Sequence, residues 1–207
     1  MSYLAFNKRT ASHCIAVLLL LSTSAGISSK AQSLSGPATE RVLRNRLHER
    51  VPVKIKLRED CEASFKDLNN HTWPSHFAIE VTNTGDKPIY YLALFLRTNS
   101  EGGTTRLMGE DEDKRAGHLV IDVRYGNNRF GDIVTKANSE DVPLIPGQTV
   151  VLTCHEGEAA AIQRGFSEGR EADPTRVDII LSVLSFGDGT GLWGVDAMPY
   201  PPLNKRK

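Results

Sequence analysis

Apolar residues alternate with charged ones in short segments of this chain, and this alternation constrains the fold more than any other feature. Val53, Ile55 and Leu57 are separated by lysines. A period of two places such residues on one face of a strand that is buried on one side only. Residues 76–82 repeat the pattern, and the turn residues Asn-Thr-Gly-Asp follow at 83–86. The sequence therefore predicts two half-buried strands in this region.

More strands are predicted further along the chain. The segment 89–96 is apolar on both faces, which is typical of a central strand covered on two sides. Strand patterns return in five later segments: 119–123, 130–134, 149–154, 176–186 and 192–195. One helix is predicted at 156–169, where Ala159, Ile162 and Phe166 share a face. Seven to eight strands without strand–helix–strand alternation predict a mainly β fold, an antiparallel sandwich with one short helix in its C-terminal part.

Two turn motifs carry a resemblance to a known class of module. Residues 79–89 read IEVTNTGDKPI, and residues 145–149 read IPGQT. This strand, turn and strand, followed later by a Pro-Gly turn, resembles the Ig-like and FxLYD-like modules of secreted bacterial proteins. The resemblance covers about residues 76–155 and implies an Ig-like β-sandwich. Because its motifs are turn chemistry, it implies little about activity.

The N-terminal segment has the pattern of a secretory signal peptide. Lys8 and Arg9 precede an apolar run at 14–21, which is too short to span a bilayer as a helix. The small residues Ser29 and Ala31 predict cleavage before Gln32, with a cut after Ala25 or an uncleaved anchor as the alternatives. We expect a secreted or periplasmic protein with no stable membrane span after cleavage.

The rest of the chain divides into three predicted regions. Residues 32–50 form a flexible leader, in which Leu43 and Leu47 allow a short surface helix at 40–50. Residues 51–198 form the β-sandwich domain. Residues 199–207 form a Pro-rich, basic tail that we expect to be frayed.

Charge argues against nucleic acid as a partner. The chain has 25 basic and 25 acidic residues, so its formal charge is zero. Removal of residues 1–31 takes away three of the basic residues and none of the acidic ones, which leaves a formal charge of −3. Proteins dedicated to binding nucleic acid carry a basic surface, and this balance does not provide one.

Two cysteines remain after signal cleavage, and in an exported chain they predict one disulfide. Cys154 has the strand parity of Val150 and Leu152. Cys61 has the parity of Val53 and its strand neighbours if that strand continues. We therefore expect a bond between Cys61 and Cys154, with two buried thiols as the alternative.

Several familiar catalytic motifs are absent. The sequence lacks the zinc-protease helix motif and the P-loop motif, and it has no glycine-rich dinucleotide-binding motif at the start of a predicted helix. His71, His76 and the adjacent pair Cys154 and His155 are possible metal ligands, but neighbouring strand residues point to opposite faces, which favours ordinary surface histidines. The acidic run 110–113 lacks the spacing of a calcium loop and is typical of a solvated charge run. We predict no metal, no cofactor and no enzymatic activity.

The predicted binding residues lie in loops, because the sheets of a sandwich are occupied by packing. The loops that differ most from plain turns are 98–117 and 187–193. In the second, Asp188 and Thr190 offer polar atoms and Trp193 offers contact area. The alternative, favoured by the low aromatic content, is that Trp193 covers one end of the core.

Two function classes remain. The first is a non-catalytic exported module that binds a protein, a glycan or a cell-envelope component. The second is a small extracytoplasmic hydrolase or metal-binding protein with an unfamiliar site. The missing motifs and the ordinary charge favour the first class.

Overall fold

The computed structural model describes residues 38–98, 119–169 and 172–202 of the chain. The predicted signal peptide and its cleavage site lie outside the described residues, as do the acidic run 110–113 and nearly all of the loop 98–117. Within the described part, no helix combines the length and the apolar character needed to cross a bilayer.

The described chain folds into two β-sheets. The larger sheet has the order β5-β4-β7-β8-β9, with β1 beside the first half of β7. Its strands are β1 (Val42–Asn45), β4 (Tyr91–Thr98), β5 (Val120–Gly126), β7 (Arg176–Ser185), β8 (Gly191–Trp193) and β9 (Met198–Tyr200). The smaller sheet has the order β2-β3-β6, formed by β2 (Val53–Leu57), β3 (Ala78–Asn83) and β6 (Thr149–Thr153). All pairs are antiparallel except β1 with β7, which is parallel.

The two sheets share one hydrophobic core. Leu92, Leu94 and Leu96 of β4 are fully buried, and they belong to the same cluster as Ile79 and Val81 of β3. Burial of apolar surface between two sheets is the main source of stability in a sandwich. The prediction of a mainly β, antiparallel sandwich with a short helix is confirmed. The central position predicted for 89–96 is also confirmed, because β4 lies between β5 and β7.

Helices cover part of the sandwich. The predicted helix at 156–169 is present as α3 (Glu156–Ser167), and its buried residues include Ala159, Ile162 and Phe166. Two further helices, α1 (Glu59–Lys66) and α2 (Trp73–His76), were not predicted from the sequence. The segment 130–134, predicted as a strand, instead begins in a 3₁₀ helix at Asn128–Gly131, where Phe130 is buried.

The helices add an aromatic cluster to the core. The Phe65 ring of α1 lies 5.4 Å from the Trp73 ring of α2, in an edge-to-face arrangement. The Trp73 ring stacks at 6.4 Å on Phe166 of α3, and Phe77 lies 6.0 Å from Trp73. Edge-to-face and offset pairs of this kind stabilise beyond the area they bury. Trp73, which is 1% exposed, is therefore the core tryptophan of this protein.

The prediction of a surface helix at 40–50 is wrong. Residues Val42–Asn45 form β1 and pair with the start of β7, more than 130 residues further along the chain. The adjacent Arg41 is 1% exposed, although arginine is rarely buried without partners. Its guanidinium donates to the carboxylate of Asp173 and to three main-chain oxygens, those of Phe65, Asp67 and Pro174. The folded domain therefore begins before residue 51.

The predicted frayed tail also needs correction at its start. Pro199 and Tyr200 belong to β9, which pairs with β8 as the last strand of the larger sheet. An edge strand tolerates proline because one side of it carries no ladder bonds.

Candidate functional site

The hairpin β8–β9 presents apolar side chains at one end of the larger sheet. Trp193 lies between Val183 of β7 and Met198 of β9 in the strand register. It is 44% exposed, Met198 is 40% exposed, and Val195 in the connecting turn is 49% exposed. Cross-strand neighbours on one face lie about 5 Å apart, so Trp193 and Met198 form a continuous apolar surface. We call Trp193, Val195 and Met198 the hairpin patch.

The structure corrects the interpretation of Trp193 as a core residue. The buried tryptophan is Trp73, which packs with Phe65, Phe77 and Phe166. The sequence contains two tryptophans, and composition alone does not indicate which one is buried. The exposure of Trp193 leaves it free to contact another molecule.

Asp188 and Thr190 lie in the turn before β8, where they bond to each other and to Lys87. The Asp188 carboxylate accepts from the Thr190 main-chain N–H at 2.9 Å, from the Thr190 hydroxyl, and from Lys87 Nζ at 2.9 Å. Partial burial acts to raise the pKa of Asp188, but these hydrogen bonds outweigh it and hold the pKa below its usual range. Lys87 also lies 5.2 Å from the centre of the Phe186 ring. The polar atoms of the turn are thus engaged within the protein.

Two glycines in the same turn are required by geometry. Gly187 and Gly189 have φ values of 69° and 87°, which favour glycine. A Cβ atom on Gly187 would lie 2.4 Å from the ring of Tyr90. The turn is therefore shaped by packing as well as by backbone conformation.

A polar cleft of about 590 Å³ lies at the opposite side of the larger sheet. It is formed by β5, the end of β6 and the first turn of α3. Its lining residues are Asp122, Arg124, Asn128, Thr153, Cys154, His155 and Glu158. Sequence reasoning placed α3 and β5 but did not bring Asp122 and Glu158 together, because the pairing depends on how the helix packs on the edge strand.

Glu158 holds the edge of β5. Its carboxyl oxygen Oε1 accepts a hydrogen bond from the Asp122 main-chain N–H at 3.2 Å. Burial raises the pKa of Glu158, and the nearby Asp122 carboxylate raises it further. Asp122 itself is ion-paired through Oδ2 with Arg124, which also donates to Asn128. Within the cleft, burial and the Asp122 carboxylate therefore both disfavour ionisation of Glu158.

The thiol of Cys154 is not a nucleophile in this cleft. Burial, together with the neighbouring Glu158, raises the pKa of Cys154 to about 12. A thiol must be deprotonated to attack or to bind a metal, so Cys154 remains protonated at neutral pH.

The predicted bond between Cys61 and Cys154 is not formed, and both thiols are free. The parity argument fails because β2 ends at Leu57 and Cys61 lies on α1. The Cys61 thiol instead lies against the main-chain oxygens of Arg58 and Ala78. Cys154 follows Thr153, the residue that pairs with Ala78 at the end of β6. Successive residues point to opposite sides of a strand, and Cys154 packs against the hydrophobic core.

Two of the histidines considered as metal ligands, His71 and His76, have other partners. His71 Nδ1 lies 2.7 Å from Asp173 Oδ2, and His76 Nδ1 lies 3.2 Å from the Thr72 main-chain oxygen. Asp173 also binds Arg41 and the Trp73 indole N–H through its other oxygen. Among the described residues, no group of three or more potential ligands is placed to hold a metal ion.

Comparison of the chain with protein-family models, with curated proteins and with solved structures gives no match.

Proposed function

We propose that this protein is a non-catalytic binding module that recognises a protein partner through the hairpin patch. The observation that carries the proposal is the exposure of Trp193 beside Met198 on a short hairpin. Tryptophan and methionine are enriched in protein–protein interfaces, where a few large side chains supply most of the binding energy.

The chemistry of the neighbouring turn favours a protein over a glycan. Sugar recognition combines an aromatic ring with polar groups that are free to bond hydroxyls. Here the side chains of Asp188 and Thr190 bond to each other and to Lys87. A mainly apolar surface next to satisfied polar groups fits a partner that offers its own apolar side chains.

We also propose that the protein is exported, which rests on the basic residues and short apolar run at its N-terminus. The sequence resemblance to secreted Ig-like modules supports the same placement. Sequencing of the native protein from its N-terminus tests it: Gln32 is the expected first residue, and an intact Met1 would contradict export with cleavage.

A pair of matched variants tests the binding surface. Trp193→Ala removes the largest side chain of the patch, and Val142→Ala alters an exposed apolar residue outside it. Proteins captured from the extracytoplasmic fraction by the unaltered protein are identified, purified and titrated against each variant. We expect Trp193→Ala to weaken binding by about 30-fold or more, the effect of losing an interface hot spot, and Val142→Ala to bind normally.

Equal affinity of Trp193→Ala and the unaltered protein would overturn the proposal. Binding of a purified glycan that depends on Trp193 would replace the protein partner with a sugar.

A further inference from the structure

Strand β5 is an edge of the larger sheet, and its outward backbone groups can be assigned. Asp122 is paired with Phe95 of β4, yet its N–H points away from β4 and bonds to Glu158. In an antiparallel pair, the N–H and C=O of one residue point to the same side, and this side alternates along the strand. Val120, Asp122, Arg124 and Gly126 therefore direct their backbone groups outward. Within the described residues, no other strand bonds to them.

The side chains along this edge are complementary to themselves. Asp122 and Arg124 are two residues apart, so they lie on the same face and form an ion pair. If a second β5 approached antiparallel about a two-fold axis at Val123, each Asp122 would lie opposite Arg124 of the other copy. Both of these residues have outward backbone groups, so this register gives hydrogen-bonded pairs as well as opposite-charge pairs. A two-fold interface requires a self-complementary surface of this kind.

Glu158 occupies the position that such a pairing needs. Its carboxyl oxygen accepts the hydrogen bond from the Asp122 N–H. In a paired sheet, the same N–H would donate to a carbonyl oxygen of the second strand. A side chain that satisfies an exposed strand edge is a means of preventing edge-to-edge association.

We propose that β5 is a self-association edge, which joins two copies of this chain into a continuous sheet. Glu158 limits this association because it occupies the Asp122 N–H. The partner is a second copy because, in an antiparallel pair of β5 strands, Asp122 of each copy lies opposite Arg124 of the other. The hairpin patch lies at the other end of the sheet, so the two surfaces are separate.

Sedimentation velocity over a wide range of protein concentration tests whether Glu158 limits dimer formation. Glu158→Ala removes the competing acceptor, and we expect its dimer dissociation constant to fall about tenfold or more, the effect of losing a hydrogen bond to a charged group. Glu158→Gln keeps a carbonyl oxygen for the Asp122 N–H, so we expect it to associate as weakly as the unaltered protein. Circular dichroism verifies that both variants fold.

Charge reversal tests the register. In the Glu158→Ala background, Asp122→Arg brings two cationic side chains opposite each other, and Arg124→Asp brings two carboxylates together. We expect each reversal alone to abolish the dimer and the two together to restore it. A Glu158→Ala protein that folds but stays as monomeric as the unaltered one overturns the proposal, as does a dimer that neither single reversal weakens.

Discussion

Replacement of each tryptophan by alanine should have very different consequences, because Trp193 is 44% exposed and Trp73 is 1% exposed. A fully buried tryptophan removes about 150–250 Å² of surface from water. Trp193 buries about half of that area, and each Å² contributes about 25 cal/mol. After a reduction for the area already buried in the unfolded chain, the loss of stability expected for Trp193→Ala is about 2 kcal/mol. Truncation of a core tryptophan costs about 3–5 kcal/mol, and Trp73 also loses the hydrogen bond from its indole to Asp173.

Thermal unfolding followed by circular dichroism measures both effects. At about 2–4 °C per kcal/mol for a domain of this size, we expect Trp193→Ala to lower Tm by about 4–8 °C and Trp73→Ala by more than about 10 °C. Each variant retains one tryptophan, so its fluorescence gives an independent check: the emission of Trp73 should be typical of a buried ring and that of Trp193 of a partly hydrated one. If Trp193→Ala destabilised the protein as much as Trp73→Ala, Trp193 would be structural, and the argument for the hairpin patch would fail.

Three further substitutions have defined expected outcomes. Burial raises the pKa of Glu158 above 4.5, so the folded state binds its proton more tightly than the unfolded state; ionisation therefore costs stability as pH rises above that value. Glu158→Gln should be as stable as the unaltered protein in urea unfolding below pH 4.5 and more stable at neutral pH; the same gap at both values would contradict the pKa assignment. Arg41→Ala leaves Asp173 and three carbonyl oxygens without a buried cation and should cost about 3–5 kcal/mol in urea unfolding, whereas a loss under about 1 kcal/mol would show that Arg41 is not a structural centre. Gly187→Ala should lower Tm more than Gly169→Ala, since both glycines have positive φ but only Gly187 meets a ring; equal losses would exclude a role for the Tyr90 contact.

The sequence was sufficient to predict the sheets wherever a strand carried its own pattern. Val53, Ile55 and Leu57 alternate, and the run in β7 is long and β-branched, so local residues identify both strands. The short strand β1 carries no such pattern, because it is mostly exposed and is defined by its pairing with β7. Helix α1 was not predicted because most of its residues are polar or charged and only Cys61 and Phe65 are buried, which is too few to give a clear helical pattern.

The candidate sites were predictable only in part. The glycines at 187 and 189 identified the turn between β7 and β8, because positive φ values favour glycine. The hairpin β8–β9 was not predicted, because β9 begins at Met198 and runs into the proline-rich segment expected to be frayed. The exposure of Trp193 was not predictable, because the local sequence does not distinguish it from Trp73, the tryptophan that is buried. The contact between Asp122 and Glu158 joins two elements 36 residues apart, and it depends on how a helix seats on a strand edge.

The parallel pairing of β1 with β7 also sets the order in which the protein can be completed during synthesis. Strand β7 is the partner of β1, β4 and β8, so the larger sheet has no centre until the segment ending at Ser185 has been made. Until then, β4 can pair within the described part of its sheet with β5 alone, and Arg41 lacks Asp173 and Pro174. Contacts between distant parts of a chain form slowly and leave strand edges exposed in the meantime. The described part of the larger sheet can therefore be completed only after its last strands, β7 to β9, have been made.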